Sequence, residues 1–262
     1  MAIALTGANG SIGGVVRNGV RGRHDDVRLV DRTVACGIQR GEHSITADIR
    51  DIDAMRTAFE GCSTVVHLAG IPDEADFYDL AQSNILGTYT VFEAAKRARV
   101  KRIVYASSNH VVGFHSAEAA LDANAALRPD SFYGVSKVFG EGLGRLYHDK
   151  WGLEIVCLRI GSFREKPQSV RQLSTWLGHY DAVELFNRAI EAEPVSFTVL
   201  YGVSANARCR WNSGEAAEAL GFYPVQNAED FRGEVEALPD LDPPQCAAFH
   251  GGAFTGTDYR GA

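Results

Sequence analysis

The chain has 262 residues, of which 45% are hydrophobic and 23% charged, as in a globular protein with a sizeable core. A formal net charge of −7 provides no basic stripe to neutralise phosphates, so a nucleic-acid partner is not expected. The five cysteines form no Cys-x-x-Cys pair and no apolar run reaches membrane-spanning length, which together predict a cytoplasmic protein with free thiols and no membrane partner.

The first predicted strand, Ile3–Thr6, leads directly into a glycine-rich turn and then a helix over about Ser11–Val20. Glycines between a strand and a helix allow a tight turn and a close approach of the backbone to a pyrophosphate, which binds at the helix N-terminus. An ordinary tight turn is the alternative. We assign this turn to a dinucleotide cofactor, with the contacts Gly7, Asn9, Gly10, Ser11, Ile12 and Gly13.

The second predicted strand, Val27–Val30, ends at Asp31. A carboxylate at this position accepts hydrogen bonds from the adenosine ribose hydroxyls and repels a 2′-phosphate. The expected cofactor is therefore NAD and not NADP. Arg32 favours the opposite preference, since an Arg at this position can accommodate the 2′-phosphate of NADP.

Further strands alternate with helices along the chain. The predicted strands are Ile45–Ala47, Thr64–Gly70, Arg102–Ala106 and Glu154–Arg159, and the predicted helices are Asp51–Glu60 and Phe77–Arg97. This alternation predicts an α/β fold of the Rossmann type, with a doubly wound parallel sheet. Further cofactor contacts are assigned to Asp48, Ile49, Leu68, Ala69, Gly70, Asn84, Tyr133, Lys137 and Ile160, with Lys137 expected to bind the nicotinamide ribose. Asn84 is also a candidate for a buried amide that bonds the backbone of the Arg102–Ala106 strand.

The regular alternation weakens after Arg159. We therefore expect a cofactor-binding core over residues 1–160 and a small C-terminal substrate-binding part over 161–262. The second part is predicted to contain a loop (Gly161–Trp176), a helix (Asp181–Ala192), a strand that returns to the core sheet (Phe197–Tyr201) and two short helices (Ser213–Leu220 and Ala228–Ala237). From Pro239 onward we expect an arm that lies on its own domain or on a neighbouring subunit of a homo-oligomer.

Tyr133 and Lys137 are four residues apart in a predicted helix for which Ser131 is a candidate N-cap. Their Cβ atoms would then lie about 5–6 Å apart on one face. Lowering the pKa of a phenol from about 10 to near 7 requires about 4 kcal/mol. An ammonium about 4 Å away supplies up to about that much at an effective dielectric constant near 20. With a cationic cofactor also beside it, Tyr133 becomes a candidate general base.

Ser107-Ser108-Asn109-His110 follows the Arg102–Ala106 strand at the sheet edge where open α/β folds bind ligands. Together with the glycine turn, Asp31, Asn84 and the Tyr133/Lys137 pair, it resembles the extended short-chain dehydrogenase/reductase superfamily. That pattern implies Ser108 as the hydroxyl that holds the substrate against Tyr133, and Ser107 as a structural hydroxyl.

A more specific resemblance is to uronate dehydrogenases, and it covers nearly the whole chain. It is carried by the segments Ser107–His110, Arg128–Asp130, Tyr133–Glu141, Arg159–Ser162, Arg171–Trp176 and Phe249–Phe254. The family oxidises the anomeric carbon of a hexuronic acid, galacturonate or glucuronate, to an aldaric lactone with NAD.

The resemblance implies substrate contacts at Asn109, His110 and Ser162 in addition to Ser108 and Tyr133. Arg171 is a natural bidentate partner for the uronate carboxylate, with a surface ion pair as the alternative. Where the family usually has a small hydroxyl residue after the fourth strand, this chain has Pro72. No metal site is predicted.

Two other functions use the same fold. A nucleotide-sugar epimerase or dehydratase would need a larger C-terminal part with basic residues, whereas this one is acidic near its end, with Glu229, Asp230, Glu234 and Glu236. A regulatory protein that only senses NAD would not need Ser108, Tyr133 and Lys137 together. Both alternatives are therefore ranked below uronate oxidation.

Overall fold

The computed structural model describes residues 1–193, 195–239, 243 and 245–261. Its strands are β1 (Ala2–Thr6), β2 (Asp26–Asp31), β3 (Glu42–Thr46), β4 (Cys62–His67), β5 (Arg102–Ser108), β6 (Leu121–Asp122), β7 (Glu154–Ile160), β8 (Ser162–Phe163), β9 (Trp176–Leu177), β10 (Phe197–Gly202) and β11 (Trp211–Asn212). Its α-helices are α1 (Ser11–Val20), α2 (Ile52–Phe59), α3 (Phe77–Leu80), α4 (Gly87–Arg97), α5 (Phe132–Trp151), α6 (Gln172–Thr175), α7 (His179–Glu191), α8 (Gly214–Leu220) and α9 (Arg232–Glu236).

Within the described ranges, seven of these strands form one parallel sheet in the order β10-β7-β5-β4-β1-β2-β3. The chain begins at β1 in the middle of the sheet and continues outward through β2 to β3. It then crosses back to β4, on the other side of β1. Successive side chains of β1 enter different cores: Leu5 packs with residues of α1 and α7, and Ala4 with residues of α2, α4 and α5. Because both faces are covered, the central strands β1, β4 and β5 are mostly buried. The predicted doubly wound α/β fold is confirmed.

Most predicted elements are present, with boundaries that differ by a few residues. The fourth predicted strand was too long: β4 ends at His67, and Gly70 adopts a φ of +153° in the loop that follows. The predicted loop Gly161–Trp176 contains β8 and α6, and the predicted helix Ala228–Ala237 is a 3₁₀ turn (Ala228–Phe231) followed by α9. The predicted strand near 197–201 is present as β10, which pairs with β7.

The predicted helix Phe77–Arg97 is divided by a π-helical segment, Ala81–Leu86, between α3 and α4. π-Helical turns inside α-helices are rare and occur frequently at functional sites. Here the extra residue of the wide turn directs Asn84 into the protein, where it is 2% exposed.

The C-terminal arm contacts its own chain. Ala117 N donates to Ala248 O at 2.9 Å, His250 N to His115 O at 3.0 Å and Gly251 N to Gly113 O at 2.9 Å. Residues 240–242 and 244 of the predicted arm lie outside the described residues. The segment around 248–251 thus runs along the loop that follows β5.

None of the helices in the described ranges combines the length and the apolar character that crossing a bilayer requires.

Candidate active site

The turn between β1 and α1 depends on two glycines. Gly7 has a φ of +72°, and a Cβ there would lie 2.7 Å from the backbone nitrogen of Ala69. A Cβ on Gly13 would lie 2.2 Å from the carbonyl oxygen of Gly7. Both distances are too short for any side chain. Only glycine therefore lets the loop after β4 and the first turn of α1 approach the turn after β1 this closely.

A cleft of about 660 Å³ opens beside this turn, at the carboxyl ends of β1, β2, β3 and β4. Nine of the predicted cofactor contacts line it: Gly7, Asn9, Gly10, Asp31, Asp48, Ile49, Leu68, Ala69 and Gly70. Ser11 lines a separate depression, together with Arg164 and His179. The cleft also contains Thr33, Arg50 and Gln82, which the sequence analysis did not assign.

Two carboxylates mark the far end of the cleft. Asp31 Oδ2 accepts a hydrogen bond from Asn9 N at 3.0 Å, so the carboxylate is held beside the glycine turn. The Arg50 guanidinium bonds to Asp48 and lowers the pKa of that carboxyl to about 2. Arg50 is therefore already paired, and Asp31 stays the carboxylate placed to bond ribose hydroxyls.

Asn84 is a buried amide, and its direct hydrogen bonds are with partners other than the predicted β5. Its Oδ1 accepts from Ile71 N at 2.8 Å, and its Nδ2 donates to Ile71 O at 2.9 Å and to Ser136 Oγ at 3.1 Å. The amide thus joins the loop after β4 to α5, and not to β5. The direction in which a π-helical turn points its side chains could not be derived from an α-helical pattern.

The N-terminus of α5 is capped by side chains from two segments. Ser131 Oγ accepts from Gly134 N at 3.0 Å, as predicted for an N-cap. The Glu74 carboxylate accepts from Phe132 N at 3.2 Å and from Tyr133 N at 2.8 Å. A negative charge at a helix N-terminus is stabilising, so Glu74 anchors the first turn of α5 and with it Tyr133.

Lys137 lies on the same face of α5 as Tyr133. Its Nζ donates to Ala106 O at 2.9 Å and is 5.6 Å from the centre of the Tyr133 ring. Burial lowers the pKa of Lys137 to about 8. The Lys137 charge also affects a second buried group, His67. Burial, and to a smaller extent this charge, lower the pKa of His67 to about 3.

The surrounding protein groups do not bring the pKa of Tyr133 near neutral pH. Burial raises its pKa to about 12, a hydrogen bond with Ser108 lowers it, and the charges of Asp73 and Asp130 raise it. The direction is opposite to the one expected from the Lys137 charge. A phenol that is 7% exposed loses more hydration than its neighbours restore.

The two serines at the end of β5 have different partners. Ser107 Oγ donates to Glu141 Oε1 at 2.6 Å, and that carboxylate also forms a buried bidentate pair with Arg159. Ser108 Oγ, in contrast, accepts from His110 N at 3.3 Å, and its interaction with Tyr133 lowers the pKa of that phenol. Ser107 therefore belongs to the core, while Ser108 faces the reactive phenol.

Arg171 is half-buried on the substrate side. Its Nε donates to His250 O at 2.8 Å. With the Asn109 amide oriented to satisfy its neighbours, Asn109 Oδ1 accepts from Arg171 Nη2 at 3.1 Å, and its Nδ2 donates to Ile160 O at 3.0 Å. Ser162 bonds instead to Thr175, at 2.9 Å. The structure thus brings together Asn109, Ile160 and Arg171.

Residues of the arm complete this side, and the sequence analysis assigned none of them. The Phe254 ring stacks on His110 with 3.7 Å between ring centres, and Tyr259 lies 4.5 Å from Phe254. The Tyr259 hydroxyl donates to Asp73 at 2.8 Å. The sequence signals were the apolar character of a Gly-rich tail and the likeness of Phe249–Phe254 to uronate dehydrogenases, and neither indicates where the tail docks.

Three comparisons relate this chain to known proteins. The model described as the NAD dependent epimerase/dehydratase family matches residues 3–174. A uronate dehydrogenase of Pseudomonas putida is 40% identical over 255 residues, which cover 96% of this chain and 94% of the relative.

Solved structures agree. A crystal structure of uronate dehydrogenase from Agrobacterium tumefaciens gives a TM-score of 0.92 at 38% identity, and the match covers 97% of this chain and 96% of that one. A mutant of that protein complexed with NAD gives 0.92 at 37% identity, with the same coverage. The resemblance predicted from the sequence motifs is confirmed.

Proposed function

The chain belongs to the NAD dependent epimerase/dehydratase family, and on this premise we propose that it oxidises the anomeric carbon of a hexuronate to the aldaric acid lactone with NAD. One observation carries the proposal: Arg171 is half-buried and held by Asn109 and His250 on the same side of the sheet as Ser108 and Tyr133. A guanidinium in that position fits a substrate carboxylate. The similarity to uronate dehydrogenases supports the same substrate class.

The residues of the cleft fit a dinucleotide. The close approach of Gly7 and Gly13 leaves backbone N–H groups for a pyrophosphate, and Asp31 would hold the adenosine ribose. NAD, when bound, accepts the hydride that leaves C1. Arg32 and Arg50 also line the adenosine end.

The chain's own residues handle the proton. Tyr133 accepts the proton of the C1 hydroxyl, while Ser108 bonds that hydroxyl and orients it. Lys137 places a positive charge beside the phenolate that forms. The remaining predicted contacts, Asn109, His110 and Ser162, would bind the sugar ring, and Arg171 the carboxylate.

An absorbance assay at ~340 nm, the wavelength at which the reduced nicotinamide absorbs, tests the function. The purified chain is mixed with NAD and a panel of galacturonate, glucuronate, galactose, glucose and nucleotide sugars. We expect reduction with the uronates. No reduction with any of them would contradict the proposal. An epimerase or dehydratase, which returns the hydride to its product, would then convert a nucleotide sugar without net reduction, and a regulatory protein would convert none of them.

Cofactor preference is expected to depend on Asp31. The unmodified chain should strongly prefer NAD, because the carboxylate repels a 2′-phosphate. Asp31→Ala and Asp31→Ser should relax that preference, measured as the ratio of kcat/KM for NAD to that for NADP. Equal efficiency with both cofactors in the unmodified chain would show that Arg32 outweighs the carboxylate.

We further propose a homo-oligomer. Side chains of α3, the π-helical segment, the first turn of α4 and the start of α5 form an exposed apolar patch: Tyr78 (77% exposed), Phe132 (55%), Leu86 (48%) and Tyr89 (45%). The rings of Phe77 and Phe132 lie 5.3 Å apart, so the patch is continuous across the two helices. Contiguous exposed apolar surface is typical of an interaction site.

Light scattering after size exclusion tests the oligomer. The unmodified chain should have at least twice the mass of one protomer, and Tyr89→Glu should shift it to the monomer because a charge cannot be buried unpaired. Tyr223→Glu, at an exposed tyrosine outside the patch, is the control. A monomeric unmodified chain would contradict the proposal.

The division into a core over residues 1–160 and a substrate-binding part over 161–262 also remains our proposal, as does the cytoplasmic location. The five cysteines, all within the described ranges, are free, which suits a reducing compartment.

A further inference from the structure

Asp130 is a buried carboxylate that the proposed chemistry does not use. Its side chain is 0% exposed. Oδ2 lies 2.7 Å from His110 Nδ1, and Oδ1 accepts from the Ser131 hydroxyl at 2.8 Å. An ionised carboxylate only accepts hydrogen bonds, so the contact with His110 requires the ring proton on Nδ1.

Three glycines from three segments leave no room for this carboxylate to turn. A Cβ on Gly113 would lie 1.6 Å from Asp130 Oδ2, and one on Gly251 of the arm 2.0 Å. A Cβ on Gly134, in the first turn of α5, would lie 3.3 Å from Oδ1. The carboxylate is thus fixed where α5, the loop after β5 and the arm meet.

The His110 ring is held on its other sides as well. Phe254 stacks on it, as described above, and the Tyr133 ring lies edge-on at 5.9 Å. Stacking sets the plane of the ring, and the bond to Asp130 sets its rotation within that plane. Nε2 is then the ring atom left to meet a ligand beside Tyr133.

We propose that Asp130 is a positioning residue for the sugar: it keeps the proton of the neutral His110 ring on Nδ1, so that Nε2 accepts a hydrogen bond from a substrate hydroxyl. The proposal rests on the proposed uronate oxidation. Asp130 touches neither the sugar nor the cofactor in this scheme and acts through His110. A substrate hydroxyl at this point must be a donor, which an ether oxygen or a methoxy group cannot be.

Asp130→Asn tests the kinetic consequence. The side chain keeps its shape among the three glycines. A neutral amide bonds His110 more weakly than a carboxylate does, and its NH₂ group has to face one of the two partners, His110 or Ser131. We expect kcat/KM for the uronate to fall by about 10- to 100-fold, the range for losing a charged hydrogen bond, with the KM for NAD unchanged.

Asp181→Asn is the matched control. Asp181 is 1% exposed and accepts from the backbone nitrogens of Val225 and Gln226, away from the sugar. It should lower thermal stability and leave the uronate KM near that of the unmodified chain. An Asp130→Asn enzyme with unmodified uronate kinetics would overturn the proposal.

A double-mutant cycle with His110→Ala separates positioning from general support of the fold. If Asp130 acts through His110, adding Asp130→Asn to His110→Ala should cause no further loss of kcat/KM, so the two effects are not additive. The same fold-loss in both backgrounds would show that Asp130 does not act through this ring.

Nitrogen-15 NMR of the histidine rings, without substrate, distinguishes this proposal from the function it rests on. At a pH where His110 is neutral, we expect its proton on Nδ1 in slow exchange with water. A proton on Nε2 would overturn the inference whatever the chain oxidises. The expected tautomer in a chain that oxidises no uronate would support the positioning role and reject the function.

Discussion

Tyr133→Phe is expected to lower kcat for uronate oxidation by about 100- to 10,000-fold, the usual contribution of a general base. Tyr133 is 7% exposed and packed in the first turn of α5, so Phe keeps the packing and removes only the hydroxyl. The C1 hydroxyl then loses the phenol as its proton acceptor.

The pH dependence follows from the same environment. Burial raises the pKa of Tyr133 to about 12, and a base works only when deprotonated, so kcat of the unmodified chain should rise as the pH rises above neutrality. The positive ring of oxidised NAD would move this rise to lower pH. Lys137 adds its positive charge only below its own pKa of about 8. The rise should be absent from the residual activity of Tyr133→Phe.

The control is Tyr147→Phe, a tyrosine at 2% exposure on the same helix, whose hydroxyl donates to Glu93 at 2.8 Å. We expect Tyr147→Phe to lower the free energy of unfolding without a large loss of kcat. Turnover of Tyr133→Phe within tenfold of the unmodified chain would remove Tyr133 from its role as base.

Arg171→Ala should raise the KM for uronates steeply and leave neutral aldoses almost unaffected. A charged hydrogen-bonded pair is worth about 1.5–3 kcal/mol. The selectivity for galacturonate over galactose should therefore fall by roughly 10- to 150-fold, at about 1.4 kcal/mol per decade. Arg171→Lys should recover only part, because a point charge lacks the planar two-bond fork.

Arg128 and Arg164 are the matched rivals. Both are exposed, whereas Arg171 is half-buried and oriented by Asn109 and His250 O. Kinetics of the three alanine variants on galacturonate and galactose decide between them. If Arg164→Ala lost the uronate preference and Arg171→Ala kept it, the carboxylate site would have to be moved.

Local sequence was sufficient where the chemistry is local. The glycine turn, Asp31 at the end of β2 and the Ser131 cap of α5 each depend on residues a few positions apart, and the structure has each where it was predicted. The choice of Ser107 as the structural hydroxyl agrees with its bond to Glu141. The π-helical turn at Asn84 was missed because an α-helical pattern does not indicate an extra residue.

The electrostatic environment of Tyr133 could not be predicted correctly from the sequence. The sequence places Lys137 near Tyr133, and from that distance alone a lowered phenol pKa was expected. The structure reverses the direction because burial of the phenol outweighs the nearby charges, and burial is a property of all surrounding segments.

The sequence by itself determined the parallel α/β sheet and the dinucleotide turn, since both follow from periodicity and from glycines close together in the chain. Only the tertiary structure decided how the sugar side is built. His110 meets Phe254 of the arm, Tyr259 bonds Asp73, and Gly251 packs against Asp130. These partners are separated by more than a hundred residues, and a chain that long can bring its ends together in many ways, so no local pattern specifies which contacts form.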